Sequence, residues 1–216
     1  MGFGIRRRRE SALWKMASVK RKVEAGVALT FDDGPMPGTT DLVLDCLAEL
    51  EVTATFFCVG RNAERNPALL SRILAEGHTI GSHSLTHAPR GSQSLRELVL
   101  DYRAGHRAVE DTLGRPVNLF RPPYGRVSLR TIGFLRSVHT WVWSVDPGDW
   151  QEGANLTGLA SALTGVDDGD VVLLHDWLEP QVPHSTDRSP TIGAVRELVT
   201  SLRRRQVPLV PLPTWR

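Results

Sequence analysis

The sequence has only two cysteines in its 216 residues, Cys46 and Cys58, and their spacing matches no metal-binding motif. Both lie within apolar patterns, so we expect reduced, structural side chains rather than a disulfide. The sequence also has no apolar run as long as a transmembrane helix, no glycine-rich dinucleotide fingerprint and no phosphate-binding loop. These absences argue against a disulfide-stapled scaffold, a membrane-spanning segment within the sequence, and nucleotide binding through either motif.

Length and composition are those of one globular domain with a charged extension. The chain is 41% apolar and 23% charged, and it is long enough to bury a sizeable core. Residues 1–22 contain eight Lys or Arg and one acidic residue, a net charge of +7, whereas the whole chain has a net charge of +2. Residues 23–216 therefore have a net charge of about −5. We predict a basic, flexible extension over residues 1–22 and one folded domain over residues 23–216.

The basic extension has two interpretations. We expect a solvated segment, and the alternative is a weak contact between its arginines and an anionic membrane surface. A nucleic-acid partner is not expected, because no basic surface interleaved with aromatic residues follows the extension. No apolar signal region follows the basic start. We therefore expect a cytoplasmic monomer, peripheral to the membrane if the extension contacts lipid, or an extracellular protein if a signal has been removed.

Short apolar runs alternate with helical patterns about seven times along the chain. Such alternation is typical of parallel βα units, in a barrel or in an open doubly wound sheet. The chemically suggestive residues follow predicted strands, and in a (β/α) barrel those positions share the rim where active sites lie. We therefore predict an α/β barrel with about seven parallel strands. The predicted strands are 27–31, 53–59, 79–81, 118–120, 140–144, 170–174 and 209–212, and the predicted helices are 40–50, 66–77, 94–113, 128–136, 156–163 and 191–205.

Two short segments contain most of the chemical information. Residues 29–35 end an apolar run with two adjacent carboxylates, Asp32 and Asp33, and a later segment places His83 and His87 four residues apart. Taken alone, the carboxylates could cap a turn and the histidines could be surface residues. Together, one carboxylate and two imidazoles make a three-point site for a divalent metal with open positions, and the other carboxylate is free to act as a base. The pattern predicts a metal-dependent hydrolase.

Five motifs in order resemble those of the polysaccharide deacetylases of carbohydrate esterase family 4, also called the nodulation-deacetylase homology domain. The resemblance extends over about residues 25–212. It implies that the domain over residues 23–216 is catalytic and is an irregular (β/α) barrel with seven strands rather than eight. The motifs are Thr30-Phe-Asp-Asp-Gly-Pro35, His83-Ser-Leu-Thr-His87, Arg121-Pro-Pro-Tyr-Gly125, Asp146-Pro-Gly-Asp-Trp150 and Val172-Leu-Leu-His-Asp176.

The resemblance also implies a role for each motif residue at the metal. Asp33, His83 and His87 would bind a divalent cation, Zn²⁺ in the first place and Co²⁺ as an alternative. Asp32 would be the general base, and Arg121 would pair with it and fix its orientation.

The remaining motifs imply an acid and a substrate site. His175 would be the general acid that protonates the leaving nitrogen, and Asp149 would orient it; by itself, a histidine at the end of an apolar strand could equally be a core residue. The backbone N–H of Tyr124 would donate to the oxyanion. Substrate contacts are implied for Trp150, Leu173, Pro123 and Tyr124.

The implied activity is removal of N-acetyl groups from N-acetylglucosamine units, with release of acetate. The expected partner is an N-acetylated glycan: chitin oligosaccharide, peptidoglycan or an exopolysaccharide. Two alternatives remain open, an acetyl-xylan O-esterase of the same family and a glycan-binding protein without catalysis.

Overall fold

The computed structural model describes residues 12–178 and 187–214, and six parallel strands form a curled sheet at its centre. The strands are β1 (Ala28–Asp32), β2 (Thr55–Cys58), β3 (Thr79–Ser82), β4 (Leu119–Phe120), β5 (His139–Thr140) and β6 (Val171–His175). Their order in the sheet is β5-β4-β3-β2-β1-β6. All of β1 and the first four residues of β6 are buried, which explains why both are continuous apolar runs rather than alternating patterns.

Helices connect the strands and pack their apolar faces against the sheet. Side chains of both helices and strands join in one large hydrophobic core. The parallel pairing and the alternation of strand and helix confirm the predicted α/β fold. Within the described residues, none of the helices combines the length and the apolar character that crossing a bilayer requires. The helices are α1 (Thr40–Glu49), α2 (Gly60–Arg65), α3 (Pro67–Ala75), α4 (Leu95–Leu113), α5 (Ile132–Leu135), α6 (Leu156–Leu163) and α7 (Ser189–Arg204).

The chain beyond β5 returns to the other edge of the sheet. Val145 forms an isolated parallel bridge with Val172 of β6. The N–H groups of Ser144 and Val145 donate to the carbonyl oxygen of Val171, and the N–H of Leu173 donates to the carbonyl oxygen of Val145. The sheet therefore curls into an incomplete barrel, as predicted, and the carboxyl ends of its strands face one rim.

The predicted seventh strand, residues 209–212, forms only one bridge, between Leu209 and Val27. Three prolines lie in and beside this segment, and proline lacks the N–H that a ladder of strand hydrogen bonds needs. The N–H of Leu212 donates to the Thr55 hydroxyl at 3.0 Å instead of to a neighbouring strand.

Two other predicted elements are shorter in the structure. The predicted helix over residues 128–136 begins only at Ile132, because Ser128 and Thr131 bond to each other in a preceding turn. Of the predicted strand over residues 140–144, only Thr140 belongs to a regular strand, β5, although Trp141 and Val145 beyond it form isolated bridges with Lys20 and Val172.

The predicted ends of the longest helix are confirmed. Ser94 and Glu97 form a capping box, in which the Ser94 hydroxyl accepts from the Glu97 N–H at 3.3 Å and the Glu97 carboxylate accepts from the Ser94 N–H at 2.7 Å. Gly114 ends α4 in the left-handed conformation, with a φ of 65°.

The segment before β1 packs against the barrel, although the sequence predicted a flexible extension to residue 22. Ala17 is completely buried, and Lys20 forms a parallel bridge with Trp141. The prediction was based on net charge, which takes no account of the apolar residues that lie among the basic ones in residues 12–22. The structure therefore corrects the prediction for residues 12–22, while residues 1–11 lie outside the described part of the chain.

Candidate active site

The carboxyl ends of the strands bring most of the predicted site residues to one cavity, whereas Arg121, Asp149 and Pro123 do not line it. Asp32 and His175 are the last residues of β1 and β6 and are paired in register across the sheet. His83 directly follows β3, and Arg121 directly follows β4. We call this cavity the central cleft. It has a volume of about 350 Å³ and is lined by Asp32, Asp33, His83, His87, Arg90, Tyr124, Trp143, Asp146, Trp150, Leu173, His175 and Leu178.

Asp33, His83 and His87 form the candidate metal centre. Their ligand atoms all lie within 4.8 Å of one another. Oδ1 of Asp33 is 3.6 Å from Nε2 of His83 and 3.5 Å from Nε2 of His87. This Oδ1 atom is buried and accepts no hydrogen bond from a described residue, which costs free energy unless a cation contacts it. One carboxylate and two imidazoles, with an oxygen left unsatisfied between them, fit a divalent metal.

The turn after β1 lets two adjacent carboxylates reach the same cleft. Asp33 has a φ of 84°, so its side chain departs from the alternating directions of the strand that ends at Asp32. Asp176 holds this turn, because its carboxylate accepts from the N–H of Gly34 at 3.0 Å and from the Thr40 hydroxyl at 2.6 Å. A Cβ at position 34 would lie 1.9 Å from Asp176 Oδ2, so only glycine fits there.

His83 and His87, four residues apart in the sequence, come together through a tight turn rather than a turn of helix. The segment is not helical, and φ is 66° at Ser84 and 47° at His87. The Ser84 hydroxyl accepts from the His87 N–H at 3.0 Å. Helix α4 packs closely on this turn, since a Cβ at Gly105 would lie 1.9 Å from the Ser84 carbonyl carbon. The two imidazole centroids are 5.0 Å apart.

The hydrogen bonding of His83 leaves its Nε2 atom, which faces the candidate metal centre, free to bind a metal. Its Nδ1–H donates to the carbonyl oxygen of Arg121 at 2.7 Å, so the lone pair is on Nε2, the atom that faces Asp33. Burial, with a smaller effect from His87, holds the pKa of His83 well below its usual range. The ring is therefore neutral, which is the form that binds metals.

Asp32 differs from Asp33 because its carboxylate forms an ion pair with an arginine side chain, Arg121. Nη1 of Arg121 donates to Oδ1 of Asp32 at 2.7 Å and to the Thr30 hydroxyl at 2.8 Å. Arg121 is completely buried, with its guanidinium 4.1 Å from the centre of the Phe57 ring. Burial raises the pKa of Asp32 to about 6, and the opposing charge of Arg121 keeps it from rising further. A carboxylate with a pKa near neutrality is suited to general-base chemistry.

His175 and Asp149 form a second buried pair in the site. Nδ1–H of His175 donates to one oxygen of Asp149 at 2.7 Å, and the His175 backbone N–H donates to the other at 2.9 Å. Burial is the largest single effect and disfavours the charged imidazolium, but the charge and hydrogen bond of Asp149, with the charges of Asp33 and Asp32, together raise the pKa of His175 to about 9. The imidazole is therefore protonated at neutral pH, as a proton donor must be.

Two residues that sequence reasoning missed hold Asp149 in place. The Thr191 hydroxyl donates to Asp149 Oδ2 at 3.1 Å. Nη1 of Arg188 lies 3.8 Å from the same oxygen and donates to the Asp149 carbonyl at 3.3 Å. Both residues belong to the start of α7, and Arg188 is only 5% exposed. Nothing in the local sequence separates this buried arginine from the many exposed arginines of the chain.

Three of the four predicted substrate contacts line the cleft. Tyr124 and Trp150 are 45% and 44% exposed at its rim, whereas Leu173 is buried in β6. Pro123 is the exception: it is a buried residue of the same turn as Tyr124 and is not among the residues that line the cleft. The turn gives Tyr124 a φ of 57°.

Four lining residues had no role in the sequence analysis: Arg90, Trp143, Asp146 and Leu178. Asp146 accepts hydrogen bonds from the Gly148 N–H at 2.9 Å and from Nε1 of Trp150 at 3.3 Å. It therefore fixes the loop that presents this tryptophan. In the sequence, the only sign that these four residues line the cleft is that they lie in or near the third, fourth and fifth motifs and the histidine pair.

Comparison with known proteins gives the family. The family model described as polysaccharide deacetylase matches residues 20–140, more than half of the chain. The chain therefore belongs to the polysaccharide deacetylase family, as its five motifs indicated.

Relatives and a solved structure agree with this assignment. The peptidoglycan-N-acetylglucosamine deacetylase of Bacillus cereus is 34% identical over 185 residues, which are 83% of this chain and 82% of that protein. The chitooligosaccharide deacetylase of Sinorhizobium fredii is 35% identical over 196 residues, 87% of this chain and 90% of that protein. A crystal structure of the Bc1960 peptidoglycan N-acetylglucosamine deacetylase in complex with an N-oxidanyl-benzamide aligns with a TM-score of 0.80 and 29% identity, covering 94% of each chain.

Proposed function

We propose that the protein is a metal-dependent hydrolase that removes N-acetyl groups from N-acetylglucosamine units of a glycan and releases acetate. The observation that carries this proposal is the presence, in one cleft, of a metal-type triad, a buried carboxylate with a raised pKa and a protonated histidine. Membership of the polysaccharide deacetylase family and the names of the relatives support the same activity.

The metal would be held by Asp33, His83 and His87. When bound, a divalent cation supplies Lewis-acid polarisation of a carbonyl group and makes a neighbouring water more acidic. We propose Zn²⁺, which prefers nitrogen and carboxylate ligands at a site with an open position, and Co²⁺ as a substitute.

Asp32 is the proposed base. Its Oδ1 is bound to Arg121, which leaves Oδ2 at the metal centre, 3.6 Å from Nε2 of His83. Asp32 would accept a proton from the attacking water through this oxygen. The water oxygen then forms a bond to the amide carbon, and the carbonyl oxygen gains negative charge. The N–H of Tyr124, at the rim of the cleft, is the proposed donor to this oxygen.

His175 is the proposed acid. An amide nitrogen leaves poorly unless it is protonated, so the imidazolium would donate its proton to nitrogen as the C–N bond breaks. The products are acetate and a free amino sugar, which accounts for every atom of water and amide. Asp149 positions the ring for this transfer. The sugar would lie between Tyr124 and Trp150, with the acetyl methyl near Leu173.

The test is acetate release from chitin oligosaccharides and peptidoglycan fragments by protein that has been freed of metal and then supplied with Zn²⁺ or Co²⁺. We expect no release after chelation and recovery with either ion, in proportion to bound metal measured by mass spectrometry. Full activity in a sample shown to be metal-free would overturn the metal's role, and no release from any acetylated glycan would overturn the function.

A further inference from the structure

A second cavity adjoins the central cleft. It has a volume of about 380 Å³, within the range of small-molecule sites. We call it the basic cavity. The two spaces share four lining residues, Arg90, Tyr124, Trp143 and Asp146. A glycan whose acetylated sugar lies in the central cleft would therefore extend along these shared residues into the basic cavity.

The far side of the basic cavity is formed by the segment before β1. Trp14 and Arg21 line it, and neither belongs to a family motif. Nε1 of Trp14 donates to the carbonyl oxygen of Gly125 at 3.3 Å, which attaches the segment to the turn that presents Tyr124. The guanidinium of Arg21 lies 5.8 Å from the centre of the Trp14 ring, within the range of a cation–π contact. These two contacts hold the segment in place as one wall of the cavity.

The charge of the cavity is what points to a ligand. Arg21, Arg90 and Arg126 line it, and none of the three forms an ion pair with a described residue. Asp146 is the acidic residue of the lining, and it already accepts two hydrogen bonds, from Gly148 and Trp150. The cavity therefore has an excess of positive charge, although residues 23–216 as a whole have a net charge of about −5.

We propose that the basic cavity binds an anionic group, a carboxylate or a phosphate, on a sugar next to the one that is deacetylated. Guanidinium groups recognise both anions through paired, charge-assisted hydrogen bonds. Trp14 and Trp143 provide apolar faces against which the C–H side of a pyranose packs. The inference rests on the proposed function, and it deepens that function because it makes an acidic glycan a better substrate than neutral chitin.

The experiment compares matched substrates by acetate release. One is an oligosaccharide that alternates N-acetylglucosamine with a carboxylate-bearing amino sugar, another is its uncharged methyl ester, and a third is a chitin tetramer, with and without a phosphate. At low ionic strength we expect KM for the acid to be about five- to tenfold lower than for the ester, the size of one or two partly exposed ion pairs. The difference should shrink in high salt. The phosphate pair shows which anion is preferred.

Two variants locate the effect. Arg21→Gln combined with Arg126→Gln should bring the ratio of kcat/KM between acid and ester most of the way to one, because only Arg90 of the three arginines then remains. Arg107→Gln, the same charge change on the exposed side of α4, should leave the ratio as it is in the native protein. Equal KM values for acid and ester, together with equal values for the two chitin tetramers, would overturn the proposal. So would a preference for an anion that is as large in the double variant as in the native protein.

Failure of the proposed function would be a different result. If none of the substrates releases acetate, the deacetylase proposal fails. The affinities of the acid and the ester, measured by calorimetry, then decide separately whether the basic cavity binds anions. Tighter binding of the acid than of the ester, reduced in the double variant, supports anion binding in the basic cavity, and equal binding of acid and ester overturns it.

Discussion

Two neighbouring carboxylates, Asp32 and Asp33, have different surroundings and therefore different chemistry. Asp32 is bound by Arg121, and burial raises its pKa to about 6. Asp33 has an oxygen without a hydrogen-bond donor among the described residues, and this oxygen lies between two imidazoles. A base needs orientation and a pKa near neutrality, and a ligand needs a free lone pair. The structure offers one carboxylate of each kind.

This difference predicts separate effects of two substitutions. Asp32→Asn should bind metal with nearly native affinity and lose about 10²- to 10⁴-fold in kcat, because it removes the base but no ligand. His87→Ala should lose metal affinity and activity together. The measurements are metal content by mass spectrometry after dialysis against a weak chelator, and acetate release. If both variants lose metal equally, the roles of the two carboxylates are assigned wrongly.

The pH profile should respond to Asp149. Burial lowers the pKa of His175, and Asp149 is the largest of the opposing effects that raise it to about 9, so Asp149→Asn should lower that pKa. An acid with a lower pKa loses its proton earlier as pH rises, and the basic limb of kcat/KM should move to lower pH. Thr191→Val is the matched control. It removes a neutral hydrogen bond to Asp149 but keeps the charge, so its basic limb should stay nearly in place. An unmoved limb in Asp149→Asn would mean that His175 is not the titrating acid.

The role of His175 can be separated from substrate positioning. His175→Ala should retain metal and slow amide cleavage by about 10²- to 10⁴-fold. An activated acetyl ester has a good leaving group that needs little protonation, so its hydrolysis should slow much less. Equal losses on both substrates would indicate that His175 positions the substrate and donates no proton.

Turns between elements place the residues of the candidate metal centre. The turn after β1 depends on Asp176, whose carboxylate accepts from Gly34 and Thr40. Asp176→Ala would leave the Gly34 N–H without an acceptor. We expect the free energy of unfolding to fall by about 2–3 kcal/mol, the cost of a buried donor and a lost hydrogen bond. Metal affinity should fall by about 10- to 100-fold because the turn positions Asp33.

A surface control distinguishes this effect from loss of an acidic residue in general. Asp111→Ala, at an exposed position of α4, should change the free energy of unfolding by less than about 0.5 kcal/mol. Thermal unfolding and metal titration measure both variants. Native metal affinity in a destabilised Asp176→Ala protein would show that the turn supports the fold but does not position Asp33.

Elements with a strong local signal were predictable from the sequence, and elements set by distant contacts were not. Helix α4 has its capping box and terminal glycine in the sequence, and its predicted ends are confirmed. The last predicted element, the strand expected at 209–212, does not form a regular strand, because its prolines lack the N–H groups that strand pairing needs. The same contrast between local signals and distant contacts is found in the candidate active site. The motif residues converge as predicted, whereas Thr191 and Arg188 reach Asp149 from 42 and 39 residues away along the chain.

At the scale of the whole fold, one pattern in the sequence was enough to predict the architecture: chemically suggestive residues follow successive predicted strands. Suggestive residues placed after successive strands predicted a barrel, and the curled parallel sheet confirms it. Net charge was a poorer guide, because it described residues 1–22 as one solvated extension. In the structure, Ala17 is buried against Tyr102, Phe120 and neighbouring apolar side chains. A short apolar segment within a basic one contributes nothing to charge, but it decides whether that segment packs.

This packing predicts that removing residues 12–22 harms the protein as a whole. A chain that begins at residue 23 would expose the apolar surface under Ala17 and Val19, and would lose the ion pair between Lys22 and Asp170. We expect the free energy of unfolding to fall by about 2 kcal/mol, which for a domain of this size lowers Tm by about 4–8 °C. The comparison is a chain that begins at residue 12, which keeps every described contact of the segment. Both are measured by thermal unfolding with the same bound metal. If the two chains unfold at the same temperature, the segment does not stabilise the barrel, and its place beside the cleft would have to be explained by binding alone.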